Sequence, residues 1–96
     1  MVKSKSEITN LIGSRFGMSN HIVDMIIDTF IEEITTEVAN GNKVNIKDFG
    51  VFEPVKRAER VGRNLHTMEQ VIVPAHIEPR FKPFKCFKNN VYKEVN

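Results

Sequence analysis

The feature that most constrains the fold is a strongly basic segment in the middle of a short chain. Residues 56–64 carry four positive charges and one negative charge in nine positions. They lie between two stretches that are typical of β-strands, and they are too charged and too polar to form a hydrophobic core. The sequence therefore predicts a cationic β-ribbon that projects from a globular body. A ribbon of this charge favours a phosphate backbone as its partner.

The length and composition of the chain indicate one globular domain. Its 96 residues include 27% charged and 41% hydrophobic side chains. A monomer of this size buries only about 60–65% of the surface of its unfolded chain, so an apolar surplus would favour a dimer. Residues 1–48 contain five Lys/Arg and seven Asp/Glu, whereas residues 49–96 contain nine Lys/Arg and five Asp/Glu. Positive charge is therefore concentrated in the second half, which favours a polyanionic partner.

Several features predict a cytoplasmic protein. A single cysteine, Cys86, excludes an internal disulfide and fits a reducing compartment. No apolar run reaches the roughly 18–20 residues of a membrane-spanning helix, and the N-terminal residues lack the apolar segment of a signal peptide. Because Cys86 lies between Phe84 and Phe87, we expect it to be a small buried hydrophobe rather than a nucleophile.

Two helices are predicted in the first 40 residues. Ser4 and Glu7 have the spacing of a capping box before a helix over residues 5–16, and Gly17 is suited to end that helix. Its apolar stripe consists of Ile8, Leu11, Ile12 and Phe16.

A second helix is predicted over residues 20–40, with Ser19 as its N-cap. Its apolar side chains form two ridges. These ridges are Ile22, Ile26, Phe30 and Ile34, and Val23, Ile27, Ile31, Ile34 and Val38. Two ridges require two neighbours. The neighbours are the first helix and a second subunit, or alternatively the sheet of the same chain covers both sides.

The rest of the chain predicts an antiparallel sheet, a ribbon and a final helix. The predicted strands cover residues 43–46, 49–63, 71–73 and 77–81. Turns are predicted at Lys47-Asp48 and over residues 64–70. Pro54 fits only a sheet edge or a bulge, and Pro83 fits the first turn of the final helix.

The ribbon is predicted to carry cations on both faces. Strand alternation places Arg57 and Arg63 on one face, and Lys56 and Arg60 on the other. Such a ribbon could contact both walls of a DNA groove. The alternative is an ordinary solvated hairpin whose charges prevent edge-to-edge aggregation.

Leu65 is an aliphatic residue at the predicted tip, where glycine, asparagine or proline is more usual. Proteins that bind the minor groove insert apolar side chains between base pairs, and Leu65 could serve as such a wedge. Alternatively, Leu65 packs on Met68 or Val71 and stiffens the turn.

A second cationic cluster lies near the C-terminus. It consists of Arg80, Lys82, Lys85 and Lys88. The three lysines recur every third residue and would share one helical face, either as part of a phosphate-binding track or simply as solvated charges.

Nothing in the sequence predicts an enzyme, a metal site or a cofactor. The three histidines, His21, His66 and His76, have no acidic or cysteine partner at the spacing of metal ligands. The chain has no glycine-rich phosphate loop, no paired-carboxylate motif and no nucleophile elbow.

Three segments resemble the bacterial histone-like HU and integration host factor family. They are Asp48-Phe49-Gly50-Val51-Phe52, Arg57-Ala58-Glu59-Arg60-Val61-Gly62-Arg63-Asn64 and Pro79-Arg80-Phe81-Lys82. The resemblance implies an α+β fold with an N-terminal helical hairpin, a three-stranded antiparallel sheet, a long protruding β-ribbon arm and a short C-terminal helix. It also implies an intertwined dimer, either homodimer or heterodimer, that is associated with the nucleoid.

The resemblance divides the single domain into functional parts. These are a helical dimerisation base (1–41), a saddle (42–55 and 75–82), the arm (56–74) and a C-terminal helix (83–96). The predicted DNA contacts are Lys3, Lys56, Arg57, Arg60, Arg63, Asn64, Leu65, Arg80, Lys82, Lys85 and Lys88. The predicted dimer core is Ile26, Phe30, Ile34, Phe49, Phe52 and Phe81.

The sequence departs from the family pattern at five positions. Leu65 occupies the position of the family's tip proline, and Met68 and Asp48 replace glycines in turns. Glu78 stands where the family has an apolar residue, and Pro74 interrupts the returning strand.

These features are compatible with three functions. The first is an architectural protein that binds duplex DNA through the minor groove and bends or compacts it with little sequence preference. The second is a site-specific DNA-bending factor of the integration-host-factor type. The third is a dimeric protein-interaction module that does not bind DNA.

Overall fold

The computed structural model describes residues 1–95, and its elements follow the order α-α-β-β-β-β-β-α. The helices are α1 (Lys5–Phe16), α2 (Asn20–Ala39) and α3 (Lys85–Val91). The strands are β1 (Val44–Ile46), β2 (Gly50–Arg57), β3 (Arg60–Arg63), β4 (Gln70–Val73) and β5 (His76–Pro83). The predicted α+β class is confirmed. The chain forms two units, residues 1–36 and the segment from Glu37 onward.

The two N-terminal helices begin at the predicted capping residues. Ser4 Oγ accepts a hydrogen bond from the amide of Glu7 at 3.3 Å, and Ser19 Oγ accepts one from the amide of His21 at 3.2 Å. These bonds satisfy amide groups that have no partner within the first turn of a helix. Gly17 ends α1 with a φ of 63°, a left-handed conformation in which glycine avoids a Cβ clash. Local sequence therefore sets the starts of both helices and the end of α1.

Many apolar side chains of residues 1–36 are exposed. Thr9, Gly13 and Val23 are buried. The predicted stripe of α1 and the first ridge of α2 remain largely exposed. Their exposed members are Ile8, Leu11, Phe16, Ile22, Ile26 and Phe30. A sizeable apolar surface of this unit is therefore exposed.

A three-stranded antiparallel sheet has the order β1-β2-β5, and β3 and β4 form a separate two-stranded ribbon. Phe52 lies opposite Phe81 in the register of β2 and β5, and their ring centroids are 4.8 Å apart. Phe81 is also 5.0 Å from Phe49, which stacks on Phe87 of α3 at 4.7 Å. These four phenylalanines form the aromatic cluster of the sheet.

Gly50 is required by the close approach of this aromatic cluster to the backbone. A Cβ at Gly50 would lie 2.6 Å from the Phe81 ring and 2.7 Å from the Lys82 carbonyl oxygen. These distances are far inside van der Waals contact, so a larger residue would separate β2 from β5. The preceding turn contains Asp48 with a φ of 62°.

The prediction of one long strand over residues 49–63 is wrong, because this segment forms two strands, β2 and β3. β2 pairs with β5 as far as Arg57 and His76, and β3 pairs with β4 from Arg60 and Val73 onward. Pro74 lies in the gap between β4 and β5, opposite the gap between β2 and β3. Because proline has no N–H to donate, it interrupts the ladder of hydrogen bonds between the paired strands. Strand alternation does not continue across the gap, so the predicted shared face of Arg57 and Arg63 has no structural basis.

Pro54 occupies the edge position that the sequence predicts. β1 pairs only with residues 50–52 of β2, so β2 has a single neighbour at Pro54. There Pro54 lies directly opposite Pro79. Two residues without an N–H can oppose each other only at a non-hydrogen-bonded position of the ladder.

The C-terminal helix is shorter than the predicted range of 83–96, of which residue 96 lies outside the described residues. Pro83, predicted in its first turn, is the last residue of β5. The amide of Phe84 donates to the Phe49 carbonyl at 2.9 Å, and Phe84 is the N-cap of α3. This tertiary hydrogen bond holds Phe84 directly after β5, so α3 begins only at Lys85.

Candidate nucleic-acid interface

The three-stranded sheet carries most of its charge on one face. Directly opposed residues of an antiparallel pair project to the same side of the sheet. The pairs on this charged face are Arg57 with His76, Val55 with Glu78, Glu53 with Arg80, and Val51 with Lys82. Lys56 pairs with Ile77 on the other face. Three of the predicted DNA contacts therefore share the charged face, and Lys56 does not.

Glu53 is the centre of one ion-pair group on the charged face. It is only 7% exposed. The Nε of Arg80 donates to Glu53 Oε1 at 2.9 Å, and Nη2 of Arg80 donates to the same oxygen. Lys43 Nζ lies 3.5 Å from Oε2. The hydrogen bond from Arg80 holds the pKa of Glu53 below its ordinary value of 4.5. Arg80, predicted as a DNA contact, is therefore already engaged by a carboxylate.

Arg57, His76 and Glu78 form a second group, which we call the arm root. The Nε of Arg57 donates to Glu78 Oε2 at 3.2 Å. His76 Nε2 lies 2.7 Å from Glu78 Oε1, and its Nδ1 lies 2.8 Å from the Pro74 carbonyl oxygen. Both neighbours of the imidazole are acceptors, so both ring nitrogens must carry a proton to make these bonds. The geometry therefore fits a charged imidazolium.

The electrostatics of the arm root agree with this assignment. The hydrogen bond to Glu78 is the main cause that raises the pKa of His76 above 6.5, and Arg60 acts in the opposite direction. The hydrogen bonds from His76 and then Arg57 lower the pKa of Glu78 below 4.5. Glu78 is therefore a carboxylate shared by two cations.

The ribbon of β3, β4 and their connecting tip covers residues 60–73, which is shorter than the predicted arm of residues 56–74, and from here on the arm means residues 60–73. Val61 and Ile72 lie opposite each other and are 67% and 68% exposed. Arg60 and Arg63 fall on opposite faces because they are three residues apart in β3. Neither arginine forms an ion pair with any residue of the described chain, 1–95. The arm thus presents both cations to solvent.

Asn64 organises the tip of the arm. Its Oδ1 accepts a hydrogen bond from the amide of His66 at 2.9 Å. The backbone of Asn64 donates to the Glu69 carbonyl at 2.9 Å and accepts from the amide of Met68 at 2.7 Å. Met68 closes the turn with a φ of 61°. The side-chain oxygen of Asn64, a predicted DNA contact, is thus used within the turn.

Leu65 is the most prominent apolar side chain of the tip. It is 86% exposed, and Met68 is exposed beside it. The alternative in which Leu65 packs on Met68 or Val71 is therefore wrong. An aliphatic side chain held in water by an ordered turn is available to a partner.

The C-terminal lysines do not share one helical face as predicted. Lys82 belongs to β5, whereas Lys85 and Lys88 lie on α3, and all three are exposed. Cys86 is exposed as well, so the prediction of a buried cysteine is wrong. It lies on the first turn of a short helix whose inward position is taken by Phe87. Lys3 precedes α1 and is exposed.

Within residues 1–95, no three His, Cys, Asp or Glu side chains are grouped so that they could hold a metal ion. No helix in this part of the chain has both the length and the apolar character needed to cross a bilayer.

Sequence reasoning missed the arm root and the contribution of Phe87 to the aromatic cluster. A signal for the arm root was present, because His76 and Glu78 are two residues apart and share one face of any strand. The pairing that adds Arg57 could not be read without the register of β2 and β5. Phe87 lay on the predicted apolar side of the last helix, but its partner Phe49 is distant in sequence.

Comparison with known proteins places the chain in a family. The family described as bacterial DNA-binding protein matches residues 3–92. The DNA-binding protein HU of Thermotoga maritima is 38% identical over 88 residues, which cover 92% of this chain and 98% of the relative. The HU protein of Thermus thermophilus is 32% identical over 90 residues, covering 94% and 93% of the two chains.

Solved structures show the same likeness. The structure of an Anabaena HU–DNA cocrystal superimposes with a TM-score of 0.86 at 30% identity, covering 93% of this chain and 97% of the other. HU from Thermotoga maritima superimposes with a TM-score of 0.66 at 29% identity, over 94% and 100% of the two chains. The predicted resemblance is confirmed, and this chain belongs to the family of bacterial DNA-binding proteins.

Proposed function

We propose that this protein is an architectural DNA-binding protein. Its arm enters the minor groove of duplex DNA, contacts phosphates through arginines and bends or compacts the duplex. The observation that carries this proposal is the exposed arm, in which Arg60 and Arg63 have no carboxylate partner among residues 1–95 and Leu65 projects from an ordered tip. A relative of the same fold is described in complex with DNA.

The arrangement of the charges supports phosphate contact rather than base reading. Arg60 and Arg63 point to opposite faces of a narrow ribbon, which suits a groove with phosphates along both walls. The side-chain oxygen of Asn64 is occupied by the tip turn, so this amide is not free to read base edges in the manner of a bidentate contact. Low sequence preference follows from such contacts.

A second copy of the chain is the partner that best fits the exposed apolar side chains of residues 1–36. The ridge of Ile22, Ile26 and Phe30 is about half exposed, far more than a stable monomer of this size leaves without a role. Two chains joined through such a surface would present two arms to one duplex. Light scattering is expected to give twice the mass of one chain. A monomeric mass at micromolar concentration would contradict this part of the proposal.

The central experiment measures duplex affinity at two salt concentrations. Substitution of Arg57, Arg60 and Arg63 by glutamine is expected to weaken binding by at least about tenfold on every sequence tested. The log–log salt slope is expected to fall by up to about 2.7, which is about 0.9 for each lost phosphate contact. The matched control replaces Arg15, Lys47 and Lys93 by glutamine, which removes the same charge from exposed positions outside the predicted interface.

The outcomes separate the three functions. Equal losses in the two triple variants would show that only net charge matters and would contradict the role of the arm. A competition among many sequences is expected to give a spread below about tenfold; a spread near the ~10³-fold or more of specific binders would favour a site-specific bending factor. No binding at low salt by an intact dimer would favour a protein-interaction module.

A further inference from the structure

The arm root contains a carboxylate where a DNA-binding surface would be expected to carry none. A cleft of about 370 Å³ opens there, lined by Arg57, Ala58, Arg60, His76 and Glu78. Two guanidinium groups and an imidazole surround this cleft, which is wide enough for a phosphate group. Glu78 places its negative charge among them and holds both Arg57 and His76.

We propose that Glu78 competes with a DNA phosphate for Arg57, and that His76 sets the strength of this competition through its charge. The proposal rests on the proposed function, because the competing anion is a phosphate of bound DNA. Carboxylate and phosphate oxygens make the same kind of charge-assisted hydrogen bond to a guanidinium. A phosphate that reaches Arg57 must therefore displace Glu78 or lie beside its like charge.

The geometry shows how His76 controls Glu78. Glu78 uses one oxygen for His76 and the other for Arg57, at 2.7 Å and 3.2 Å. When His76 is an imidazolium, it neutralises much of the carboxylate charge, and Arg57 is more available to DNA. When His76 loses a proton, the hydrogen bond to the Pro74 carbonyl retains the remaining one on Nδ1, and Nε2 can no longer donate to Glu78. The full negative charge of Glu78 then attracts Arg57, which makes Arg57 less available to DNA.

The charged groups that face the imidazole come from three strands. Arg57 lies on β2, Glu78 on β5 and Arg60 on β3. Arg60 opposes the protonation of His76, and Glu78 favours it. A phosphate bound in the cleft would add a further negative charge beside His76. Binding of DNA should therefore take up a proton, and affinity should rise as the pH falls.

The test compares Glu78→Gln with Glu59→Gln. Both variants remove one negative charge close to the arm root, but Glu59 forms no ion pair among residues 1–95. Glu78→Gln is expected to raise duplex affinity about fivefold at low ionic strength, and Glu59→Gln by less than about twofold. In an Arg57→Gln background the effect of Glu78→Gln should shrink to less than about twofold, because the contested group is gone.

The pH dependence provides the second readout. The ratio of affinities between Glu78→Gln and the unmodified protein is expected to be larger at about pH 8 than at about pH 6, where His76 is charged. His76→Gln should make this ratio independent of pH, whereas His66→Gln at the arm tip should leave its pH dependence intact. Thermal unfolding of each variant verifies that the fold is kept.

Different results would overturn the competition at the arm root and the proposed function. Equal effects of Glu78→Gln and Glu59→Gln, or an unchanged effect in the Arg57→Gln background, would overturn the competition while leaving the proposed function intact. Failure of the unmodified protein to bind any duplex at low salt would overturn both.

Discussion

The three-stranded sheet and the arm use the same antiparallel pairing but differ in what supports them. One face of the sheet carries the aromatic cluster, and on the other face Val51 and Glu53 are each only 7% exposed. In the arm, by contrast, Val61, Leu65 and Ile72 are mainly exposed, and within residues 1–95 β3 and β4 pair only with each other. A two-stranded hairpin is marginally stable by itself in water. We therefore expect the arm to be less stable than the sheet.

The charges of the two regions differ in the same way. Arg80 and Lys43 in and beside the sheet satisfy the carboxylate of Glu53. Arg60 and Arg63 in the arm have no carboxylate partner among residues 1–95. Between them, at the arm root, Glu78 is shared by two cations. Charge is thus neutralised where it supports structure and left available where a polyanion would bind.

The largest expected difference is in stability. Phe81→Ala removes the ring that links Phe49 and Phe52, and it should lower the free energy of unfolding by about 2–3 kcal/mol, since the ring is only half-buried. Ile72→Ala in the arm should change it by less than about 0.5 kcal/mol. Urea unfolding at one protein concentration measures both. Similar losses in the two variants would contradict the distinction between sheet and arm.

The next largest effect is on the stability of the folded protein at acidic pH. The pKa of Glu53 is lower in the folded protein than its ordinary value of 4.5. Its stabilising contribution is therefore complete above pH 4.5 and is lost as the pH falls through the folded pKa. Arg80→Gln should lower stability near neutral pH and should flatten this decline. Arg63→Gln in the arm should change neither the stability near neutral pH nor its decline in acid. Urea midpoints between about pH 7 and about pH 3 measure both effects. A decline of equal steepness in both variants would show that Arg80 does not hold Glu53.

A smaller effect is expected at two turns with left-handed residues. Asp48 lies in the turn between β1 and β2, and Met68 lies in the arm tip. Asp48→Gly should raise the free energy of unfolding by up to about 1 kcal/mol, because glycine relieves backbone strain but makes the unfolded chain more flexible. Met68→Gly should leave global unfolding unchanged and slow hydrogen exchange only in the arm. Global stabilisation by Met68→Gly would show that the arm unfolds together with the sheet.

The smallest effect on affinity is expected at Leu65. Leu65→Ala should keep duplex affinity within about threefold, because the arginines supply most of the attraction. It should nevertheless reduce the bend, since the side chain that we propose to enter between base pairs is shortened. The end-to-end distance of a dye-labelled duplex measures this. Ile72→Ala, an exposed aliphatic change away from the tip, is the control; an unchanged distance with Leu65→Ala would rule out the wedge.

Much of the local structure could be predicted from the sequence. Ser4, Gly17 and Ser19 mark the helix ends because capping depends on neighbouring residues alone. The arm could be predicted from the charge of residues 56–64, and the interruption of the returning strand from Pro74. The break at Ala58 and Glu59 could not, because neither residue is a strand breaker and the gap arises from the proline on the opposite strand.

The candidate interface was predicted mainly as a set of cations, and the structure shows that two of them are already paired with carboxylates. Arg80 and Arg57 have the same formal charge as Arg60 and Arg63, yet carboxylates 27 and 21 residues away already engage them. Partners at such separations depend on strand register. Lys56 was predicted on the face opposite Arg57, and the strand places it there, paired with Ile77.

The sequence by itself determined the helix caps, the placement of positive charge and the presence of an aliphatic residue at the tip, because each depends on residues adjacent in the chain. Only the tertiary structure decided which cations are neutralised, where Phe49 meets Phe87, and how His76 and Glu78 meet Arg57. The physical reason is that electrostatic and packing energies depend on distance in space, and strand pairing brings together groups that the sequence keeps apart.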